Sequence, residues 1–178
     1  MEYLSGKVVS VLVVKSLDDF HKRIEVLIKN GYDIFEVTLR TGCAIKAIEI
    51  LKRDFPQIKV GAGTILTADQ LEQSIQAGAD FGVAPGFNKD IVLAAKKHAF
   101  DFIPGVATPT EIELAIRCNV NLVKVFPAKV LGGVEFIKAI SGPYHNMQFM
   151  PNGGIKEEDY SNYIALPNVT CVGGSWMF

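Results

Sequence analysis

The chain has 178 residues, 49% of them hydrophobic and 21% charged, a balance that suits a globular protein with one sizeable core. Its 18 basic and 19 acidic residues leave a net charge of −1, and no long cationic stretch offers a footprint for nucleic acid. Near-neutrality does not oppose the binding of one small anion such as a phosphate. Cys43, Cys118 and Cys171 stand far apart with no CxxC pair, which reads as reduced thiols in a cytoplasmic protein.

Lys7 leads into Val8-Val9-Ser10-Val11-Leu12-Val13-Val14, closed by Lys15. That run is too short to cross a bilayer and lacks the small-residue cleavage site of a leader peptide, so it reads as a buried strand with no membrane role. Further strands are predicted over 33–39, 59–62, 81–84, 101–103, 122–126, 147–150 and 169–172. Each is expected to be buried on both faces, as parallel strands are. The segments between them carry helix punctuation. Gly31 and Gly78 fall where a helix C-terminus turns left-handed, and each leads to an aspartate and a strand, a weak internal repeat. Thr67-Ala68-Asp69-Gln70 and Thr108-Pro109-Thr110-Glu111 fit capping boxes, the second with proline at the first helical position.

Eight strands alternating with helices predict an α/β fold, a (β/α)8 TIM barrel forming a single domain over 1–178. An open doubly wound sheet is the alternative, because strand count alone does not prove closure. The chain stops at Phe178 just after the eighth strand, so the usual C-terminal barrel helix is expected to be missing from it.

Side-chain alternation then locates the candidate chemistry. In the second strand Phe35, Val37 and Leu39 form the apolar set, leaving Glu36, Thr38 and Arg40 inward. In the sixth, Val123 and Val125 face the helices, leaving Leu122, Lys124 and Phe126 inward. Glu36 and Lys124 therefore enter the same interior, where charges are rare unless paired or functional. Placement alone fits a structural ion pair as well as a reactive amine. In the reactive reading, desolvation and a cationic neighbour such as Arg40 favour the neutral amine, which attacks a carbonyl, while Glu36 moves protons.

Asn152-Gly153-Gly154 follows the seventh strand and Gly173-Gly174-Ser175 the eighth, the two loops with which barrels frequently hold phosphate. The tight turn Gly61-Ala62-Gly63-Thr64 places a threonine hydroxyl where it can hold a carboxylate. His21, His98 and His145 have no ligand spacing to one another or to a cysteine, so neither a metal site nor a cofactor is expected. Trp176 and the phenylalanines read as core, and Glu113 and Arg117 with Glu111 as a solvated helix face.

The segments Glu36-Val37-Thr38-Leu39-Arg40-Thr41, Gly61-Ala62-Gly63-Thr64, Lys124-Val125-Phe126-Pro127-Ala128, Pro151-Asn152-Gly153-Gly154 and Gly173-Gly174-Ser175-Trp176 together resemble the bacterial 2-keto-3-deoxy-6-phosphogluconate aldolases. Ile103-Pro104-Gly105 and Ala139-Ile140-Ser141-Gly142-Pro143 extend the likeness, which covers nearly the whole chain in the same order. The resemblance implies a class I aldolase of the Entner–Doudoroff pathway, giving pyruvate and glyceraldehyde 3-phosphate, often with activity on 4-hydroxy-2-oxoglutarate. It implies a phosphorylated 2-oxo acid as small-molecule substrate, no metal, and a cytoplasmic homotrimer. It makes Lys124 the Schiff-base lysine and Glu36 the general acid–base. It assigns Arg40 and Thr64 to the substrate's carboxylate end and Gly153, Gly154 and Ser175 to its phosphate. Pro85, Phe126 and Asn152 complete the expected substrate-binding set. Asn152 stands where the family usually has threonine, which leaves stereochemical and chain-length preference open. Loss of the family's C-terminal helix would uncover apolar barrel surface and lower stability. Two other readings remain: a barrel enzyme acting on another sugar phosphate without covalent catalysis, and a non-catalytic barrel that binds a phosphorylated metabolite.

Overall fold

The apolar run at the start of the chain forms β1 (Lys7–Leu12), and the computed structural model describes the whole of residues 1–178. Strands and helices then alternate: α1 (Phe20–Lys29), β2 (Ile34–Thr38), α2 (Ala44–Asp54), β3 (Lys59–Gly63), α3 (Ala68–Gln76), β4 (Phe81–Val83) and α4 (Lys89–Lys97). The second half continues with β5 (Asp101–Ile103), β6 (Gly105–Val106), α5 (Pro109–Arg117), β7 (Leu122–Val125), α6 (Gly133–Ser141), β8 (Gln148–Pro151), α7 (Tyr160–Ile164) and β9 (Cys171–Gly174). The fifth predicted strand thus runs on past residue 103. Pro104, which has no N–H to give, divides it into two ladder segments, and its carbonyl accepts the Lys124 N–H at 2.9 Å. The other predicted strands are present with ends shifted by one or two residues.

All ladders are parallel. One sheet has the order β5-β4-β3-β2-β1-β9 and the other β6-β7-β8, making a curled parallel sheet with helices outside. Single bridges join Phe149 of β8 to Val169, just before β9, and Asn152, just after β8, to Gly173 of β9. Two apolar clusters lie between sheet and helices. One holds Phe35, Val37 and Val60 with Ile24, Ile48 and Leu71; the other holds Val123, Val125 and Val172 with Ile112 and Ile137. A third cluster collects inward-facing Val9, Ile34, Phe81, Ile103, Leu122 and Met150 with Leu4, which closes the N-terminal end. The predicted alternation therefore holds: Phe35, Val37, Val123 and Val125 pack outward on helices.

Small residues inside the curl make room for large ones. A Cβ on Gly61 would overlap the Phe81 ring, one on Gly63 the Glu36 carboxylate, and one on Gly173 the Asn152 amide. Helix ends follow the sequence signals closely. Thr108 and Glu111 form the full capping box, and Gly31 and Gly78 are left-handed at φ 88° and 84°. The box at Thr67 is only half made: Thr67 accepts the Gln70 N–H, but the Gln70 side chain takes the N–H of Leu66. Glu111, expected on a solvated face, is committed to the cap, where it takes the Ala107 and Thr108 N–H groups at 2.7 and 2.9 Å.

Gly61→Ala should lower unfolding free energy by about 1–3 kcal/mol, the cost of overpacking a filled interior. Gly42→Ala, where nothing lies within 4 Å, should be near neutral. Urea denaturation of the two variants checks the difference.

Candidate active site

Strands β2 and β7 each carry one charged side chain inward, and the curl brings the two together. Lys124 Nζ donates to Glu36 Oε1 at 3.2 Å, with the lysine 4% exposed and the glutamate fully buried. Little water screens the pair, so loss of either group leaves the other charge uncompensated. Glu36 Oε2 has no hydrogen-bond partner, which leaves one carboxylate oxygen able to serve a bound molecule. Lys124 Nζ also lies 5.4 Å from the centre of the Phe126 ring. Below the pair, burial pushes the Cys171 thiol up to about 12, and the nearby Glu36 carboxylate adds to the rise.

The register explains why these residues meet. Glu36 pairs with Gly61 on β3, and Lys124 pairs with Gly105 on β6 and Met150 on β8. Gly105 leaves no room for a side chain, because the Pro85 backbone fills that space; this puts Pro85 one strand away from Lys124. Thr38, predicted inward, is buried and donates its hydroxyl to the Leu12 carbonyl at 3.1 Å, a structural role.

At the C-terminal ends of the strands, Arg40 is exposed and its Nε reaches Thr64 Oγ1 at 3.5 Å. Thr64 itself has φ 63°, a left-handed conformation that a β-branched residue rarely adopts. Such strain concentrates at functional sites. The polar contact of Arg40 is thus with Thr64, while that of Lys124 is with Glu36. Arg40 lies two residues beyond the end of β2, in the turn that follows the strand.

A cleft of about 240 Å3 opens at this end of the sheet. Arg40, Phe126, Asn152, Gly153, Gly154 and Ser175 all line it. Lys124, Glu36, Thr64 and Pro85 do not; Lys124 lies by Phe126, and Thr64 by Arg40, of the lining. Asn152 is 6% exposed and its Nδ2 has no hydrogen-bond partner. Gly153 and Gly154 are both left-handed, at φ 99° and 79°, a backbone shape that turns successive N–H groups into a concavity for an anion. Gly173 and Gly174 line the cleft as well, and so do Val11, Val13 and Ile155, which the sequence reading missed. The signal was available: Val11 and Val13 share the parity of inward-facing Val9, but a run with both faces apolar hides its parity.

The histidines lie elsewhere. His21 packs against Phe55 with ring centres 4.6 Å apart and stands 3.5 Å from Glu25. His98 ends α4 and His145 sits in the loop before β8.

Comparison with known proteins follows the same residues. A family model described as KDPG and KHG aldolase matches residues 2–178. The KHG/KDPG aldolase of Escherichia coli K12 is 40% identical over 97% of this chain and 81% of its own length. The 2-dehydro-3-deoxy-phosphogluconate aldolase of Haemophilus influenzae is 41% identical over 96% and 80%. Among solved structures, the KDPG aldolase of Legionella pneumophila, with pyruvate captured as a covalent carbinolamine, superposes with a TM-score of 0.92 at 41% identity, covering 98% of this chain and 84% of that one. The 2-keto-3-deoxy-6-phosphogluconate aldolase of Zymomonas mobilis ZM4 with 3-phosphoglycerate gives 0.92 at 35%, covering 98% and 83%. A 3-keto-L-gulonate-6-phosphate decarboxylase from Vibrio cholerae, at 15% identity and a TM-score of 0.72 over 95% and 87%, shares the fold alone.

Two outcomes follow from the buried charges. Lys124→Met alone should cost about 3–5 kcal/mol by stranding Glu36, and the double variant with Glu36→Gln should recover a large part of that loss in a denaturation cycle. For Cys171, the folded thiol titrates above its ordinary 9.0, so the folded state holds the proton longer than the unfolded one. Its contribution to stability is therefore complete below pH 9.0 and is lost as pH rises toward about 12. Cys171→Ala should flatten that part of the stability–pH curve, measured by denaturant midpoints.

Proposed function

The chain belongs to the KDPG and KHG aldolase family, and from that membership we propose that it cleaves 2-keto-3-deoxy-6-phosphogluconate to pyruvate and glyceraldehyde 3-phosphate through a Schiff base on Lys124. This is the cleavage step of the Entner–Doudoroff pathway. 4-Hydroxy-2-oxoglutarate, cleaved to pyruvate and glyoxylate, is the second substrate. The observation that carries the reading is one buried lysine whose only polar partner is an equally buried glutamate.

The chemistry runs as follows on this chain's residues. The Lys124 amine, having passed a proton on, attacks the C2 carbonyl and forms a carbinolamine. Loss of water gives the iminium, whose positive nitrogen draws electrons from the C3–C4 bond. Glu36 accepts the proton of the C4 hydroxyl, the C3–C4 bond breaks, and the aldehyde leaves. The enamine left on Lys124 takes a proton back at C3, and water releases pyruvate and restores the amine. Glu36 suits the proton steps because Oε1 holds the lysine while Oε2 is unpaired.

Substrate direction follows the cleft. Arg40 and the hydroxyl of Thr64 bind the C1 carboxylate, Phe126 and Pro85 pack on the carbon chain, and Asn152 faces the middle of the substrate. Gly153, Gly154 and Ser175 receive the distal phosphate at the opposite side. Neither metal nor cofactor is required by these steps.

The finer architecture belongs to the same proposal. We read the curled sheet as a closed (β/α)8 barrel, supported by the Asn152–Gly173 bridge at one seam and the continuous passage through Pro104 at the other. The interior cluster joins Leu4 to Cys171, which supports one domain over 1–178. A cytoplasmic homotrimer is carried over from the family. No helix is long and apolar enough to cross a membrane.

Incubation with pyruvate and borohydride should give a reduced adduct on Lys124, mapped by mass spectrometry and lost in Lys124→Ala. Glu36→Gln should keep a trappable lysine yet lower kcat for cleavage by about 10²–10⁴, as loss of a positioned acid–base does. A folded protein without the adduct would leave a sugar-phosphate barrel with no covalent chemistry as the better account.

A further inference from the structure

The phosphate end of the cleft has no cation of its own. Of the residues lining it, only Arg40 is charged, and Arg40 is turned toward Thr64 at the carboxylate end. Glycine N–H groups and a serine hydroxyl can cradle a phosphate dianion, but a full positive charge close by makes such contacts stronger and selects for the doubly charged group.

A second cavity, of about 460 Å3, adjoins the cleft and shares Val11, Val13 and Ser175 with it. Its charged residues are Lys15, Arg23 and Asp18. Two of these are engaged. Arg23 lies over the Phe178 ring at 3.8 Å, and Asp18 accepts the Ser16 hydroxyl at 2.7 Å. Lys15 takes part in no ion pair or side-chain hydrogen bond and is exposed to the cavity. Val11 and Val13 line both cavities, and Lys15, in the bend just past the end of β1, lines the second beside them.

We infer that Lys15 is a specificity-determining residue whose ammonium contacts the distal phosphate of a substrate seated on Gly153, Gly154 and Ser175. The inference rests on the aldolase reading and deepens it, because it separates the two substrates by the reach of their anions. The phosphate of the six-carbon substrate lies several bonds beyond the cleaved carbon. The distal carboxylate of 4-hydroxy-2-oxoglutarate is attached directly to that carbon and stops short of Lys15. One other lysine comes near this end of the cleft: the stem of Lys129 packs on Gly154, within 2.9–3.6 Å of where a Cβ would stand, but Lys129 lines neither cavity.

The test compares Lys15→Gln, Lys15→Arg and Lys129→Gln with the unaltered protein, after pyruvate trapping at Lys124 has been read for each. Lys15→Gln should lower kcat/KM for 2-keto-3-deoxy-6-phosphogluconate about tenfold, chiefly through KM, the scale of one partly screened charge-assisted contact. On 4-hydroxy-2-oxoglutarate it should stay within about twofold, because a distant exposed charge contributes little. Lys15→Arg should restore the loss, Lys129→Gln should match the unaltered protein, and added salt should weaken the unaltered protein more than Lys15→Gln. An equal effect of Lys15→Gln on both substrates, no effect on either, or a loss confined to Lys129→Gln would overturn the assignment while the aldolase reading stands. No adduct on Lys124 in the unaltered protein would remove the aldolase reading and this inference together.

Discussion

A lysine and a glutamate held inside a parallel sheet are the constraint around which this structure is arranged. Neither group can be left alone at that depth, and each strand that carries one must be curled to meet the other. β2 and β7 are far apart in sequence, yet the curl of the sheet sets Lys124 Nζ 3.2 Å from Glu36. The pairing consumes one carboxylate oxygen and leaves the other free, so one contact both stabilises the interior and leaves a group able to move protons.

Room for that pair is made by its neighbours. Gly63 yields to the Glu36 carboxylate, Gly105 to the Pro85 backbone and Gly173 to the Asn152 amide. Polar groups crowd the C-terminal end of the sheet, while the N-terminal end is filled by apolar Val9, Ile34, Phe81, Leu122 and Met150 under Leu4. The interior is thus divided into a supporting half and a reactive half. Because parallel strands all point the same way, every loop that follows a strand delivers its residues to the reactive half.

The cleft at that end is electrically uneven. Its lining carries one cation, Arg40, in contact with Thr64, together with a pair of left-handed glycines, and Lys15 stands in the adjoining cavity. In the proposed binding mode, a substrate with a carboxylate at one end and a phosphate at the other has one orientation that satisfies both. The lysine then meets the 2-oxo carbon next to the carboxylate, which is the carbon a Schiff base requires.

Much of this was legible in the sequence, because local rules govern it. Alternating strands and helices, the Thr108–Glu111 box, the left-handed Gly31 and Gly78, and the inward parity of Glu36 and Lys124 all depend on neighbours within a few residues. The two glycine pairs were legible too: one pair is a weak signal, because glycine is common in turns, but two pairs at the ends of the last two strands are a stronger one. The sequence by itself left open whether Lys124 would pair with Glu36 or stand as a free amine, a choice the 3.2 Å contact decides, and it overlooked Val11, Val13 and Lys15 as cavity-lining residues. Those facts belong to the tertiary structure alone. Which side chains meet across a curled sheet depends on register between strands distant in the chain, and no local pattern encodes that distance.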